Sequence, residues 1–277
     1  MRFLLLGLGS IGTKHAAILE KLGHIVIAID PDPAKGAHYR SVAEMRYDPD
    51  FDGILDCTPP DVRPSWNMYI PAPRFIEKPL GNTPSAVLAG PVQMGFCYRY
   101  APRLAEFVST IQAKGVARVT ISGGQHLQDW HKEDYREVAD RYHGVVTDSL
   151  PHSVYIARWI LGEVSYAGAT AAHTGAFDLD VEDVAGVVLA GPNNEPCLLS
   201  VDYLQRPRAF YIEAVTRDSS WFRWEFAPKE ADEMYTRQMQ AWVRLCAGAP
   251  DVEYPTLSDG IAVQNILDEV KRVQLVD

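Results

Sequence analysis

The sequence predicts an α/β fold: a doubly wound parallel sheet, then an α+β domain with an open, mainly antiparallel sheet. Three observations predict it. Up to about residue 98, short continuous apolar runs alternate with helical patterns, the texture of strands covered on both faces. After about residue 99, strand-like runs follow one another with turn signals between them. The chain has 277 residues, enough for about two domains at roughly 150 residues each. Domains are therefore expected at 1–98 and 99–277.

The elements follow in order. Phe3 to Leu6 is an apolar run ending in glycine, which reads as a buried strand. Ser10 to Leu22 carries a helical pattern that Gly23 stops. Ile25 to Ile29 is a second buried strand, ending at Asp30. Gly53 to Cys57 is a third, followed by Thr58-Pro59-Pro60, and Arg74 to Glu77 and Gln93 to Tyr98 are shorter candidates. Ala101 to Lys114 reads as a helix. Strand-like runs then fall at 117–123, 164–173, 183–190, 196–204, 209–216 and 219–226, and two helices close the chain near 231–247 and 256–274. In the run from Trp221 to Phe226, alternation puts Phe222, Trp224 and Phe226 on one face and Trp221, Arg223 and Glu225 on the other. The second face reads as either a subunit contact or a solvated surface.

Composition narrows the function classes. Apolar residues make up 47% and charged residues 22%, as in an ordinary globular protein. The 26 basic and 36 acidic residues give a formal charge of −10. An acidic chain repels phosphate backbones, so neither nucleic acid nor an anionic membrane is expected as a partner. No apolar run approaches the ~18 residues of a membrane span. The opening apolar stretch is too short for a leader and runs at once into glycines. The cysteines at 57, 97, 197 and 246 form no CxxC pair, so a reduced cytoplasmic chain is the simple reading.

Gly7-Leu8-Gly9-Ser10-Ile11-Gly12 is a GxGxxG placed between a strand and a helix, the Rossmann fingerprint. The first glycine allows the tight turn, the second lets a pyrophosphate approach the backbone, and the third permits close helix–strand packing. The helix N-terminus then offers N–H groups and a favourable dipole to the phosphates. Asp30 stands where a carboxylate accepts hydrogen bonds from ribose hydroxyls. It would repel a 2′-phosphate, and Pro31 and Asp32 supply no arginine, so NAD is expected over NADP. Asp32 could also serve merely as a helix cap. Glu77-Lys78-Pro79 ends a strand on the ligand-binding side of such a sheet. Asp148 and His152 are four positions apart and share a face if one helix runs through them. Taken alone, that pair reads as a catalytic pair or as a local hydrogen bond.

The order GxGxxG, then Glu77-Lys78-Pro79, then Gly144 followed by Asp148-x-x-x-His152 resembles the Gfo/Idh/MocA oxidoreductases, which are sugar and cyclitol dehydrogenases and their relatives. The resemblance covers nearly the whole chain, including Thr58-Pro59, Tyr98-Arg99-Tyr100 and the stretch from Gly144 to Gly162. It implies catalytic roles for Lys78, Asp148 and His152, with His152 as general acid/base, Lys78 as proton relay and electrostatic partner, and Asp148 as support. It implies a cofactor site of Gly7, Gly9, Ser10, Ile11, Gly12, Asp30, Thr58, Pro59, Glu77 and Lys78, with Glu77 and Pro79 shaping the turn beside the nicotinamide. The family often has a cis peptide before this proline. The stretch Asp129 to Arg136 and the stretch Asp202 to Pro207 look like members found with surface-polysaccharide biosynthesis. That likeness implies an acidic sugar or nucleotide sugar as substrate. Trp130, Tyr135 and Arg136 would line its pocket or pack within a loop, and Tyr98, Arg99, His152 and Arg206 are further candidate contacts, with Arg99 alternatively an ion-pair partner. Open-sheet pairing points to a homodimer or homotetramer.

Several features depart from the family pattern. The histidine usual after Thr-Pro is missing, and the segment reads Asp61-Val62-Arg63-Pro64. The helix after Glu-Lys-Pro is reduced to about Thr83–Ala89. An acidic residue often follows the histidine by three positions, where this chain has Tyr155. Pro151, directly before His152, is tolerable only in a helix's first turn. His126, Asp129, His131 and Asp134 cluster, but their spacing matches no helical ligand motif, and no metal is expected. His15 could approach the cofactor or be a surface or packing residue. The sequence thus predicts a nicotinamide-dependent sugar or cyclitol dehydrogenase. The alternatives are a non-catalytic sensor of the same fold and a redox-neutral sugar enzyme that keeps NAD bound.

Overall fold

The computed structural model describes residues 1–45, 50–63, 72–81, 90–131, 143–250 and 253–273, with the backbone alone at Trp130 and His131. The chain divides into two compact units. The first is Met1–Tyr100 with Asp232–Ile261; the second is Ala101–Ala231 with Ala262–Asp277.

In the first unit, β1 (Arg2–Leu6) leads into α1 (Ser10–Lys21) and then β2 (Ile25–Ile29), β3 (Gly53–Asp56), β4 (Arg74–Ile76) and β5 (Val92–Met94). They form one sheet in the order β2-β1-β3-β4-β5, and every pairing is parallel. Alternate residues of β1 serve opposite cores. Phe3 and Leu5 join Leu19, Leu55 and Phe75 on one side. Leu4 and Leu6 join Ile29, Phe51 and Ile54 on the other. A strand buried on both faces reads as a continuous apolar run, as this one does. The strand order reverses at β1, so the ends of β1 and β3 open the crevice where ligands bind in such sheets.

The first domain read from the sequence stops at 98, whereas the first unit also takes in Asp232–Ile261. The cause is the helix Ala231–Cys246, whose Met239, Trp242 and Leu245 fill the same core as Phe3 and Leu5. Gly53 makes room for it: a Cβ there would lie 2.6 Å from Trp242 Cζ2. The expected strand from Gln93 to Tyr98 ends at Met94 and gives way to a 3-10 turn at Cys97–Tyr100. Gly95 ends it, because the Glu77 carboxylate occupies the space that a side chain would need. The expected helix at 83–89 lies outside the described residues.

The second unit holds α2 (Leu104–Ala113), β6 (Val116–Gly124), α3 (Leu127–His131), α4 (Gly144–Asp148), α5 (Leu150–Leu161), β7 (Ser165–Ala172), β8 (Val184–Ala190), β9 (Pro196–Asp202), β10 (Ala209–Thr216) and β11 (Trp221–Glu225). The six strands stand in the order β11-β10-β6-β9-β8-β7. All neighbours are antiparallel except β6 and β9, which run parallel. The helices and the β7–β8 pair between them return the chain in its original direction, and the sheet is mainly antiparallel, as expected. One sheet face is apolar and packs on α5 through Leu150, Val154, Ala157 and Ile160. The opposite face alternates to polar or exposed residues. On β11, Trp224 is buried while Trp221, Arg223 and Glu225 face outward, as the alternation predicts. Among the described residues, no helix is long and apolar enough to cross a membrane.

The packing of Trp242 makes a direct prediction. Trp242→Ala should cost about 3–5 kcal/mol of stability through lost burial and the cavity left behind. Urea unfolding monitored by circular dichroism checks this.

Candidate functional site

The ends of β1, β2, β3 and β4 place four turns side by side in the first unit. The turn after β1 is a backbone fit. Gly7 has φ +88°, and a Cβ on it would lie 3.0 Å from Cys57 O. A Cβ on Gly12 would lie 2.0 Å from Gly7 O. By contrast, nothing stands within 4 Å of a Cβ built on Gly9. Gly7 and Gly12 are therefore demanded by packing, whereas Gly9 leaves open space beside the backbone. Gly9 also caps α1 without any side-chain hydrogen bond, so the first-turn N–H groups of Ser10 and Ile11 have no side-chain cap. This is the cradle that a pyrophosphate needs.

Asp30 follows β2 and is buried. Its Oδ2 accepts from Leu8 N–H at 2.7 Å and lies 3.3 Å from Lys35 Nζ, and its Oδ1 accepts from Asp32 N–H at 3.0 Å. The carboxylate is thus locked to the glycine turn. Asp32 accepts from Ala34 N–H at 2.9 Å and is the cap that the sequence allowed. Lys35, on the turn that follows Asp32, pairs with Asp30.

The turn after β3 is organised by Asp56, whose Oδ1 accepts from Thr58 Oγ1 at 2.5 Å and from Thr58 N–H at 3.1 Å. The turn after β4 carries Glu77, Lys78 and Pro79, and the Lys78–Pro79 peptide is cis, as the resemblance implies. Glu77 is buried and Lys78 half-buried. Lys78 N–H donates to Glu77 Oε2 at 3.2 Å. On its other oxygen, Glu77 meets His15 Nε2 at 2.9 Å. His15 is completely buried and packs edge-on against Phe75 and Tyr235. It is therefore a packing residue that supports the Glu77 turn, and surface placement is excluded. The neighbouring Cys97, burial and the Glu77 charge push the Tyr235 phenol well above its usual range, so it remains a donor.

Sequence reasoning missed Arg63. It is almost wholly buried. Nη1 donates to Pro79 O at 2.5 Å and Leu80 O at 3.1 Å, Nη2 donates to Thr58 O at 2.8 Å, and Nε lies 3.5 Å from Asp56 Oδ1. In the sequence, its segment Asp61-Val62-Arg63-Pro64 stands out only for lacking a histidine.

The second unit holds Asp148 and His152. Asp148 ends α4 and His152 is the third residue of α5, with Ser149 between the helices. The single helix considered for this pair is thus interrupted. Pro151 sits in the first turn of α5, where a missing N–H removes no helical bond. Asp148 is buried and accepts from Tyr203 Oη at 3.3 Å. Glu182 anchors the start of α4 by accepting from Val146 N–H at 3.0 Å. Burial raises its carboxyl above the usual range. Gly144, at φ +83°, leaves space for that carboxylate, which a Cβ would overlap at 2.4 Å. Neither Tyr203 nor Glu182 was expected as a supporting residue, because each comes from a distant strand or loop.

The remaining candidates separate. Tyr98 is buried in the first unit, and Arg99 pairs with Glu253 at 3.2 Å. Arg206 grips Asp129 through two hydrogen bonds of 2.8 and 2.7 Å on an exposed surface. Tyr135, Arg136 and the Trp130 side chain lie outside the described residues. Among the described residues, no group of three or more His, Cys, Asp or Glu could hold a metal ion. The four cysteines are free thiols, three of them buried.

No family model matches the sequence, and no curated protein matches it either. Solved structures do. Myo-inositol 2-dehydrogenase from Lactobacillus plantarum superposes with a TM-score of 0.82 at 17% identity, covering 98% of this chain and 96% of that one. Scyllo-inositol dehydrogenase from Lactobacillus casei, with bound NAD(H) and scyllo-inositol, gives 0.80 at 14% identity, covering 98% and 96%. An oxidoreductase from Agrobacterium radiobacter in complex with NAD+, L-tartaric acid and magnesium gives 0.78 at 15% identity, covering 98% and 95%. The chain shares their fold across its length.

The two glycines beside each other in the cradle should respond differently. Gly12→Ala should cost about 1–3 kcal/mol, because the backbone must move to admit the methyl group. Gly9→Ala should cost less than about 1 kcal/mol, since the space is open and only an N-cap changes. Paired urea melts of the two variants test the assignment of roles.

Proposed function

We propose that the chain is an NAD-dependent dehydrogenase of the Gfo/Idh/MocA family, acting on a hydroxyl or keto carbon of a sugar or cyclitol. The observation that carries this reading is the glycine cradle, open at Gly9 and locked to Asp30, in the same unit as the Lys78 turn. The residues present fit a dinucleotide. Gly9, Ser10 and Ile11 would hold its phosphates and Asp30 its adenosine ribose, with Thr58, Pro59, Glu77 and Lys78 on the nicotinamide side. The Asp30 carboxylate favours ribose hydroxyls over a 2′-phosphate, so NAD is the expected cofactor. The inositol dehydrogenases of the same fold, one holding NAD(H) and scyllo-inositol, support the cofactor and substrate class.

Bound there, the nicotinamide supplies the acceptor or donor for the hydride exchanged with the substrate carbon. The protein's task is the proton and the charge. His152 would take the hydroxyl proton as general base, a transfer that an imidazole suits near neutral pH. Lys78 would hydrogen-bond a developing alkoxide and stabilise its charge. Asp148, held by Tyr203, would support His152.

The narrower reading is an acidic sugar or nucleotide sugar. An anionic substrate at Arg206 would compete with Asp129 for the guanidinium, which is a ready exchange of one carboxylate partner for another. A homodimer or homotetramer through the outer sheet face fits the register. Val188, Leu198, Thr120, Glu213 and Arg223 form one row across paired strands, and Val188, Leu198 and the same-face Trp221 are exposed.

Turnover of NAD with a panel of sugars and cyclitols, followed by nicotinamide absorbance, tests the reading. Lys78→Met and His152→Ala should each lower kcat by roughly 10²–10⁴-fold while NAD still binds. Full activity in both would remove the assignment of the site.

A further inference from the structure

The Lys78 turn is clamped from one side by a residue that the proposed chemistry does not use. The turn follows the last residue of β4, beyond Glu77, whose N–H still donates to Asp56 O at 2.9 Å. Pro79 has no N–H to contribute. Its carbonyl and that of Leu80 are instead taken by one guanidinium, that of Arg63. The same guanidinium takes the Thr58 carbonyl and faces Asp56 at the end of β3. Two turns on adjacent strands are thereby held at fixed spacing, one bearing Thr58 and Pro59 and the other bearing Lys78. The opposite side of the Lys78 turn is fixed by Glu77 and His15.

A buried charge is expensive unless well paired, and an apolar residue of similar size often stabilises as much or more. A guanidinium here has a geometric advantage: its planar fork donates in several directions at once, which a lysine ammonium on a flexible stem cannot copy. We propose that Arg63 is a positioning residue that sets Lys78 relative to the Thr58-Pro59 turn, so that the ammonium meets the reacting oxygen. The proposal rests on the dehydrogenase reading for its kinetic consequence. Its structural consequence, a displaced Lys78 when the fork is lost, does not depend on that reading.

The test uses the full-length protein with Arg63→Met and Arg63→Lys. Lysines are reductively methylated with 13C-formaldehyde, and the Lys78 signal is identified by its loss in Lys78→Arg. Circular dichroism reports folding, a titration reports NAD affinity, and steady-state kinetics report kcat and KM. Arg63→Met should move the Lys78 resonance and lower kcat about 100-fold, the scale of a roughly 1 Å misplacement, with KM and NAD affinity changed by less than about threefold. Arg63→Lys, which keeps the charge without the fork, should show smaller changes in the same direction. If Arg63→Met does not fold, Arg63→Lys decides on the same readouts. A folded variant with an unmoved Lys78 resonance and wild-type kcat overturns the proposal. If the wild-type protein shows no NAD-linked turnover, the dehydrogenase reading fails and the resonance alone decides the role of Arg63.

Discussion

The site in the first unit depends on one close approach of backbone to backbone. The carbonyl of Gly7 lies where a side chain on Gly12 would have to be, and Gly7 itself rests on the carbonyl of Cys57. This contact draws the start of α1 down onto the ends of β1 and β3. From there, α1 delivers His15 to Glu77, and the glycine turn delivers Leu8 N–H to Asp30. A single methyl group at Gly12 would separate these parts. The open space at Gly9 has meaning only because the two neighbouring glycines are filled.

Around this contact the protein accumulates buried polar groups, which a purely stable fold would avoid. Asp30, Asp56, Arg63, Glu77 and His15 are all buried in the first unit, and each makes at least one hydrogen bond. Each group fixes the ends of strands, where no ladder continues. The second unit follows the same logic: Glu182 anchors the beginning of α4, and Tyr203 holds Asp148 at its end.

How much of this was legible in the sequence follows from the range of the interactions. The glycine turn and Asp30 are local features readable from neighbouring residues, whereas the cis peptide before Pro79 was expected only from the family resemblance. The buried strands were readable because their apolar runs are continuous. The packing of Ala231–Cys246 on the first sheet was not, because an amphipathic helix does not say which sheet it covers. The parallel pairing of β6 with β9 was hidden for the same reason. Arg63 lies in a segment that departs from the resembled pattern, and only its contacts to Pro79, Leu80, Thr58 and Asp56 show that it clamps two turns. The pairing of Lys35 with Asp30 was not legible, because it depends on how the turn between them folds.

The central claim is that this cradle serves a hydride transfer, rather than storing a dinucleotide or assisting a redox-neutral rearrangement. The most direct measurement places deuterium on the carbinol carbon of a cyclitol or sugar that the protein turns over, and follows it by mass spectrometry and NMR. The account predicts that the label leaves the sugar and arrives at C4 of the nicotinamide ring, with none lost to water. A label that stays on the sugar while NAD remains bound, or that washes into solvent, would contradict it.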